Sequence, residues 1–188
     1  PRSLLCRLAD DPAEADWRNL VSLYEPFVAR WLGRAGVPDS DRADLSQDVM
    51  TALVADIPSF RHSDRDGAFR KWLRTIVVNR TRGYWRKRSS LPVPYGHAAV
   101  LADLEDPASG LSGEWDREHD SHVTRQLLAR IEVEFEAKTW AAFRRQMDGA
   151  KAAVVAAELG MTANAVLIAK SRILRRLREE SAGLVEDC

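Results

Sequence analysis

Residues 154–166 read VVAAELGMTANAV, and this stretch decides the fold of the C-terminal part of the chain. Lys151 to Leu159 predicts a helix, Gly160-Met161 a tight turn, and Thr162 to about Glu180 a longer second helix. Each punctuating residue has a physical reason to be there. Ala156 is small where two helices would touch, Gly160 tolerates the positive φ of the turn, and the Thr162 hydroxyl can cap the free backbone donors that follow. Val166 then anchors the second helix in a core. From Lys170 to Arg178 there are five basic side chains and no acid. A short helix, a glycine turn and a basic second helix form the helix-turn-helix pattern, which sets the start of its second helix against base edges in a major groove. In that arrangement Ala163, Asn164, Leu167 and Lys170 face bases, with Arg172, Arg175 and Arg176 nearer phosphates. The competing reading is a structural helical hairpin with a basic surface.

Upstream of this element the apolar residues keep helical spacing. Trp17, Leu20, Val21, Tyr24, Phe27, Val28, Trp31 and Leu32 form one wide stripe, with a kink or break expected at Pro26. A second helix runs from near Asp39 with Leu45, Val49, Ala52, Leu53 and Ile57 on one side, and Pro58 stops it. A third carries Phe69, Trp72, Leu73, Ile76 and Val77 and continues through Tyr84 to Arg88. Residues 89–120 contain Pro92, Pro94, Gly96, Pro107, Gly110 and Gly113 in an acidic setting, which predicts a flexible linker without long helix or strand. Fully extended, such a segment reaches on the order of 100 Å at about 3.3 Å per residue. Beyond it, Val123, Leu127, Leu128, Ile131 and Phe135 predict one helix, and Trp140, Phe143 and Met147 another. No segment alternates with period two. The expected fold is all-α: two helical domains, 12–88 and 121–180, joined by a flexible linker over 89–120, the second containing the helix-turn-helix.

Charge is zero overall, with 28 basic and 28 acidic side chains, yet it is arranged in blocks. Arg61 to Arg88 holds ten Arg/Lys against Asp64 and Asp66, while 39–57 holds five Asp against Arg42 and 103–120 seven acids against Arg117. Two separate basic helices are the footprint of a nucleic-acid binder, whatever the sum. The stretch GAFRKWLRTIVVNRTRGYWRKR at 67–88 interleaves cations with aromatics, a composition suited to single strands. Cations track phosphates, and exposed rings such as Tyr84 and Trp85 stack on bases for about 1–3 kcal/mol each. Trp72 falls on the buried stripe and reads as core. Asn79 adds an amide to that stripe, where it needs either a backbone carbonyl or an extruded base as partner. Asp41, Asp44, Gln47 and Asp48 lie on neighbouring turns, favoured there by the helix dipole or kept as a docking face for a basic partner.

Enzyme signatures are missing from the sequence: no phosphate-binding glycine loop, no CxxC, no Ser-His-Asp arrangement. His119 and His122 have ligand spacing without companion cysteines and read as ordinary surface. No catalytic residue, metal or cofactor is expected. Two cysteines, Cys6 and Cys188, at opposite ends of the chain make a disulfide framework unexpected. No apolar run approaches the roughly 20 residues that cross a bilayer, and charges interrupt Leu4-Leu5, so no membrane contact and a cytoplasmic location are expected.

Taken together, these motifs resemble the sigma factors of bacterial RNA polymerase, specifically the small extracytoplasmic-function type, over about Glu14 to Glu180. DLSQDV at 44–49 resembles the family's polymerase-binding helix, and FRKWLRTIVVNRTRGYWRKR at 69–88 its promoter-melting and minus-ten helix. The proline-rich break resembles its linker, and VVAAELGMTANAV with KSRILRRLRE its minus-thirty-five module. The resemblance implies that Asp44, Gln47 and Asp48 dock on the β′ clamp helices of core RNA polymerase, with the β subunit as a further contact. It implies that Asn79 borders the pocket for a flipped non-template base, and that Arg74, Arg80, Arg82, Tyr84 and Trp85 hold the melted strand. Ala163, Asn164, Leu167, Lys170, Ser171, Arg172 and Arg175 would meet the minus-thirty-five element. Where many relatives begin that helix with Thr-Val-Lys-Ser-Arg, this chain has Ala165-Val166-Leu167-Ile168-Ala169, and its basic cluster follows one turn later. Promoter DNA, core polymerase and an anti-sigma factor are the implied partners, and catalysis is left to the polymerase. Two other readings remain: a helix-turn-helix regulator that never joins polymerase, and a sigma mimic that titrates an anti-sigma factor.

Overall fold

The structure, a computed structural model, describes residues 3–60, 67–88 and 95–185. Among these residues every regular segment longer than three residues is an α-helix, and no strand forms. The helices are α1 (Leu4–Asp10), α2 (Glu14–Arg34), α3 (Asp39–Asp56), α4 (Ala68–Arg88), α5 (Tyr95–Glu105), α6 (Gly110–Ile131), α7 (Ala137–Met147), α8 (Ala152–Leu159) and α9 (Ala163–Ser181).

The stripe read from Trp17 to Leu32 does form one helix, and α2 passes through Pro26 without a break. Leu20, Leu23, Tyr24, Phe27, Val28, Trp31 and Leu32 are fully buried on both sides of the proline. The ring itself lies on the exposed face. There the carbonyl that loses its helical donor is hydrated at little cost, and the continuous buried stripe holds the axis. Helix α1 lies outside the predicted N-terminal domain. Ser3 caps it by accepting from the Cys6 amide at 3.3 Å, and Leu4, Leu5 and Leu8 complete the same core.

The largest departure from expectation concerns residues 89–120. Residues 89–94 lie outside the described part of the chain, but from residue 95 onward the segment is mostly helical and packed. Its breakers flank helices more often than they interrupt them. Pro107 occupies the turn after α5, Ser109 caps α6 by accepting from the Ser112 amide at 3.0 Å, and Gly110 is the first residue of that helix. Composition hid three anchors that decide the matter: Leu101, Leu104 and Trp115, all buried in the N-terminal core. Helix α6 therefore starts at Gly110, well before Ser121, and ends at Ile131; Phe135 follows a short 3-10 turn.

Trp115 is wedged between Phe27 (ring centroids 4.8 Å) and Trp31 (5.0 Å) of α2, and its indole N–H donates to the Arg70 carbonyl of α4 at 3.3 Å. Two histidines fasten the next turns. His119 and His122 are buried, contrary to the surface position read for them. Asp120 Oδ1 lies 2.9 Å from His119 Nδ1, which leaves Nε2 to accept from the Tyr24 hydroxyl at 3.2 Å; His122 donates to the Leu23 carbonyl at 2.7 Å. The C-terminal helices α7–α9 pack round two smaller cores, one on Ala142, Val155, Ala156, Val166 and Ala169, the other on Ile131, Trp140, Phe143 and Ile173. Ion pairs from Arg7 of α1 to Glu180 of α9 and to Asp16 of α2 tie the two ends of the chain together. Burial alone would raise the Glu180 carboxyl, but hydrogen bonds from Arg7 and Arg176 hold it below the usual carboxylate range.

Burial pushes His119 and His122 below the ordinary histidine value. The unfolded chain therefore binds protons first as pH falls through about 6.5. Stability from the α2–α6 contact is fully present above that pH and is lost as pH drops further, through the lowered folded-state values. The thermal midpoint should fall between pH 7 and pH 5, and His122→Gln, which keeps a donor for Leu23, should flatten that slope. A slope unchanged in the variant would remove His122 as a cause. Trp115→Ala should cost about 3–5 kcal/mol in denaturant unfolding.

Candidate nucleic-acid interface

Helices α3 and α4 lie side by side and leave between them a cleft of about 630 Å³. Its floor is Leu45, Ala52 and Ile76; one wall is acidic, from Asp41, Asp44, Asp48 and Asp56, and the other carries Asn79, Arg80, Arg86, Lys87 and Arg88. The heptad-like burial of each helix produces this division. Leu45, Val49 and Leu53 point α3 inward, Phe69, Leu73, Ile76 and Val77 do so for α4, and the polar residues are left at the rim. Asp44, Gln47 and Asp48 are all exposed, and none of their side chains has a hydrogen bond or ion pair among the described residues. A free acidic face is what docking on a basic partner requires; solvated charges already paired within the chain would offer less.

Asn79 is exposed, so its amide is hydrated and needs no internal partner, contrary to the stripe position inferred for it. It stands on a ridge. On one side is the α3–α4 cleft, on the other a hollow of about 450 Å³ shared with Arg82, Arg86, Ala98 and Leu101. Arg80 beside it is exposed as well.

The other α4 residues expected to hold the melted strand are engaged within the chain. Arg74 is 5 % exposed, donates to the Ser112 hydroxyl and carbonyl, and pairs with Asp116 Oδ1 at 3.4 Å. Burial lowers its proton affinity below the ordinary arginine value without discharging it. Arg70, one turn earlier, pairs with Asp120 at 2.9 Å and Asp116 at 3.4 Å. Arg82 is clamped by both carboxylate oxygens of Glu105 in α5. Tyr84 donates to Asp41 at 2.5 Å, an interaction that, with Ser40 and Arg88, holds that carboxyl below the usual range. Trp85 is half-buried and stacked on His97 of α5, ring centroids 4.7 Å apart and planes 9° from parallel. Of the two rings expected to stack on bases, Trp85 is thus covered by α5, while Tyr84 is tied to α3 at the edge of the cleft. Arg70 carried no signal in the sequence beyond its charge. Its role and that of Trp72, tilted against Phe60 at 4.7 Å, follow from packing.

At the C-terminal end the predicted geometry is met closely. Gly160 has φ +57 and ψ 48, the left-handed region, and the Thr162 hydroxyl accepts from the Ala165 amide at 3.1 Å. Helices α8 and α9 meet at 104°. Val166 is fully buried and Ala156 nearly so. From α7, Lys138 donates to the Gly160 carbonyl at 3.1 Å, Gln146 to the Val166 carbonyl at 2.7 Å, and Arg145 pairs with Glu158 at 2.8 Å. The turn is held from three points. Ala163, Asn164, Leu167, Ser171, Arg172 and Arg175 are exposed, and Lys170 partly so. Arg176 is not available to phosphates, being paired with Glu134 and Glu180. Among the described residues no cluster of His, Cys, Asp or Glu suits a metal ion, and no single helix is long and apolar enough to cross a membrane.

The family model for Sigma-70 region 2 matches residues 20–91. RNA polymerase sigma factor CnrH of Cupriavidus metallidurans is 30% identical to this chain over 113 residues, which are 60% of the chain and 56% of that protein. The chain thus spans about half the length of the curated relative it matches. No solved structure matches.

Removing the α9 cap by Thr162→Ala should cost about 1 kcal/mol. Amide exchange should quicken first at Ala165 and Val166, while α2–α4 exchange stays unchanged.

Proposed function

We propose that the chain, whose residues 20–91 match the Sigma-70 region 2 family model and which is similar to a known sigma factor, is a sigma factor of the extracytoplasmic-function type that binds core RNA polymerase, recognises promoter DNA and promotes strand opening at the start of transcription. The observation that carries this reading is the α3–α4 cleft: an unpaired acidic face at Asp44, Gln47 and Asp48 adjoins a basic rim with Asn79 on its crest. Polymerase held by α3 brings its DNA directly over α4. A regulator acting alone has no use for that acidic face.

In this reading the chain works as two units, α2–α4 on polymerase and the proximal element, α7–α9 on the distal element. It performs no bond chemistry and works in the cytoplasm with the polymerase, and a protein of the anti-sigma kind that covers either DNA-reading face is a further partner. Arg74 and Arg82 reach DNA only after α5 and α6 leave α4, when phosphates take the places of Asp116 and Glu105. Leaving is costly. Burial of Trp115, Leu101 and Leu104 contributes about 1.5–3 kcal/mol each, so the free chain stays closed and the large polymerase surface must supply the difference. Until then Asn79, Arg80, Arg86, Lys87 and the α9 face are the available contacts.

Run-off transcription with the full chain, a bacterial core polymerase and a promoter library tests the reading, which requires specific transcripts that core alone does not make. Asp48→Ala should weaken core binding. Asn79→Ala should leave core binding intact and lower strand opening by roughly 5- to 150-fold, the value of about 1–3 kcal/mol of base contact. Equal loss of both in Asn79→Ala would make it a structural residue. Glu105→Gln with Asp116→Asn should increase DNA binding by the free chain; no increase would discard the covering role of α5 and α6.

A further inference from the structure

The exposed face of α9 carries an apolar pair, Leu167 and Ile168, in its second turn. Asn164, Leu167, Ile168, Ser171 and Arg175 recur at three- and four-residue steps and so share one side of the helix. Leu167 is 54% and Ile168 48% exposed, which puts two adjacent branched side chains in water beside each other. Neither supports the fold: the core contacts of this helix come from Val166, Ala169 and Ile173. Isolated exposed leucines need no explanation, but an adjacent pair on the helix-turn-helix, with the turn behind it braced from three points, is a built surface.

Charge identifies the occupant. The helix has no carboxylate from Ala163 to Arg178, and Lys170, Arg172 and Arg175 follow the apolar pair along the same helix. A polyanion whose interior presents methyl groups fits this order of side chains. In the major groove the thymine 5-methyl is the apolar mark, and an amide such as that of Asn164 pairs two-pronged with adenine; the guanine-reading arrangement needs an arginine or lysine in the first turns, where this helix has none. We infer that Leu167 and Ile168 read thymine methyls, with Asn164 on a neighbouring adenine, so that the distal element is A·T-rich and is recognised chiefly by shape and methyl contact. Lys170, Arg172 and Arg175 hold the flanking phosphates and carry no sequence information themselves. This inference rests on the reading of the protein as a promoter-binding subunit and specifies what one of its two DNA faces selects.

The test uses the full chain with core polymerase on a promoter chosen by run-off selection from a duplex library. Thymines of the distal element are then replaced by uracil on both strands, which removes only the methyl groups. The selected element should be A·T-rich, and each methyl contacted should lower transcription by roughly fourfold when lost, the factor expected for one buried methyl-sized group. Leu167→Ala and Ile168→Ala, both on exposed positions, should keep the thermal midpoint, lower transcription from the thymine template, and remove most of the difference between thymine and uracil templates. Specific transcripts that are indifferent to uracil, or a selected G·C-rich element, would overturn the inference while leaving the promoter-binding role in place. Loss of transcription in Leu167→Ala with uracil indifference kept would assign this face to a protein contact and also overturn it. If no specific transcript appears at all, the promoter-binding reading itself fails, and this inference with it.

Discussion

The guanidiniums of Arg70 and Arg74 are buried in α4, and a charge in that position is tenable only with partners. Asp116 and Asp120 of α6 supply them, together with Ser112. Trp115, in the same two turns of α6, fills the space between Phe27 and Trp31 and reaches the Arg70 carbonyl. One helix therefore provides both the apolar wedge and the counter-charges, and the N-terminal helices are arranged around it. Removing either half leaves the other unsupported: a wedge without the ion pairs would bury two bare cations, and ion pairs without the wedge would be open to water.

That arrangement also sets acidic side chains against the basic face of α4. Glu105 pairs with Arg82, Asp116 pairs with Arg74, and His97 stacks on Trp85. The surface left open is narrower and different in kind. It includes Asn79, Arg80, Arg86 and Lys87 of α4, the acidic face of α3, and the outer stripe of α9.

The resemblance to small sigma factors and the match of residues 20–91 to Sigma-70 region 2 concern the same helices that form the cleft. Asp48 of DLSQDV and Asn79 of IVVNR, distant in sequence, both line that cleft. At the other end, the exposed Leu167 and Ile168 mark where this chain departs from the Thr-Val-Lys-Ser-Arg pattern, and the fold gives them no internal task.

Local signals were sufficient for much of this. The 3.6-residue recurrence of Leu45, Val49 and Leu53, or of Phe69, Leu73 and Ile76, marks a helix because the period belongs to the backbone itself. Gly160 and Thr162 mark a turn and a cap because φ and a missing donor are properties of one or two residues. The same holds for the charge blocks and for the exposed acids of α3. The fate of residues 95–120 was decided at longer range. Proline, glycine and acid content describe an isolated segment as a tether, and only the presence of Phe27, Trp31, Arg70 and Arg74 from distant helices makes Trp115, Asp116 and Asp120 a docking surface. Covered Trp85, buried His119 and unbroken Pro26 have the same origin: burial depends on what lies opposite, and a sequence read along its length does not contain its opposite side.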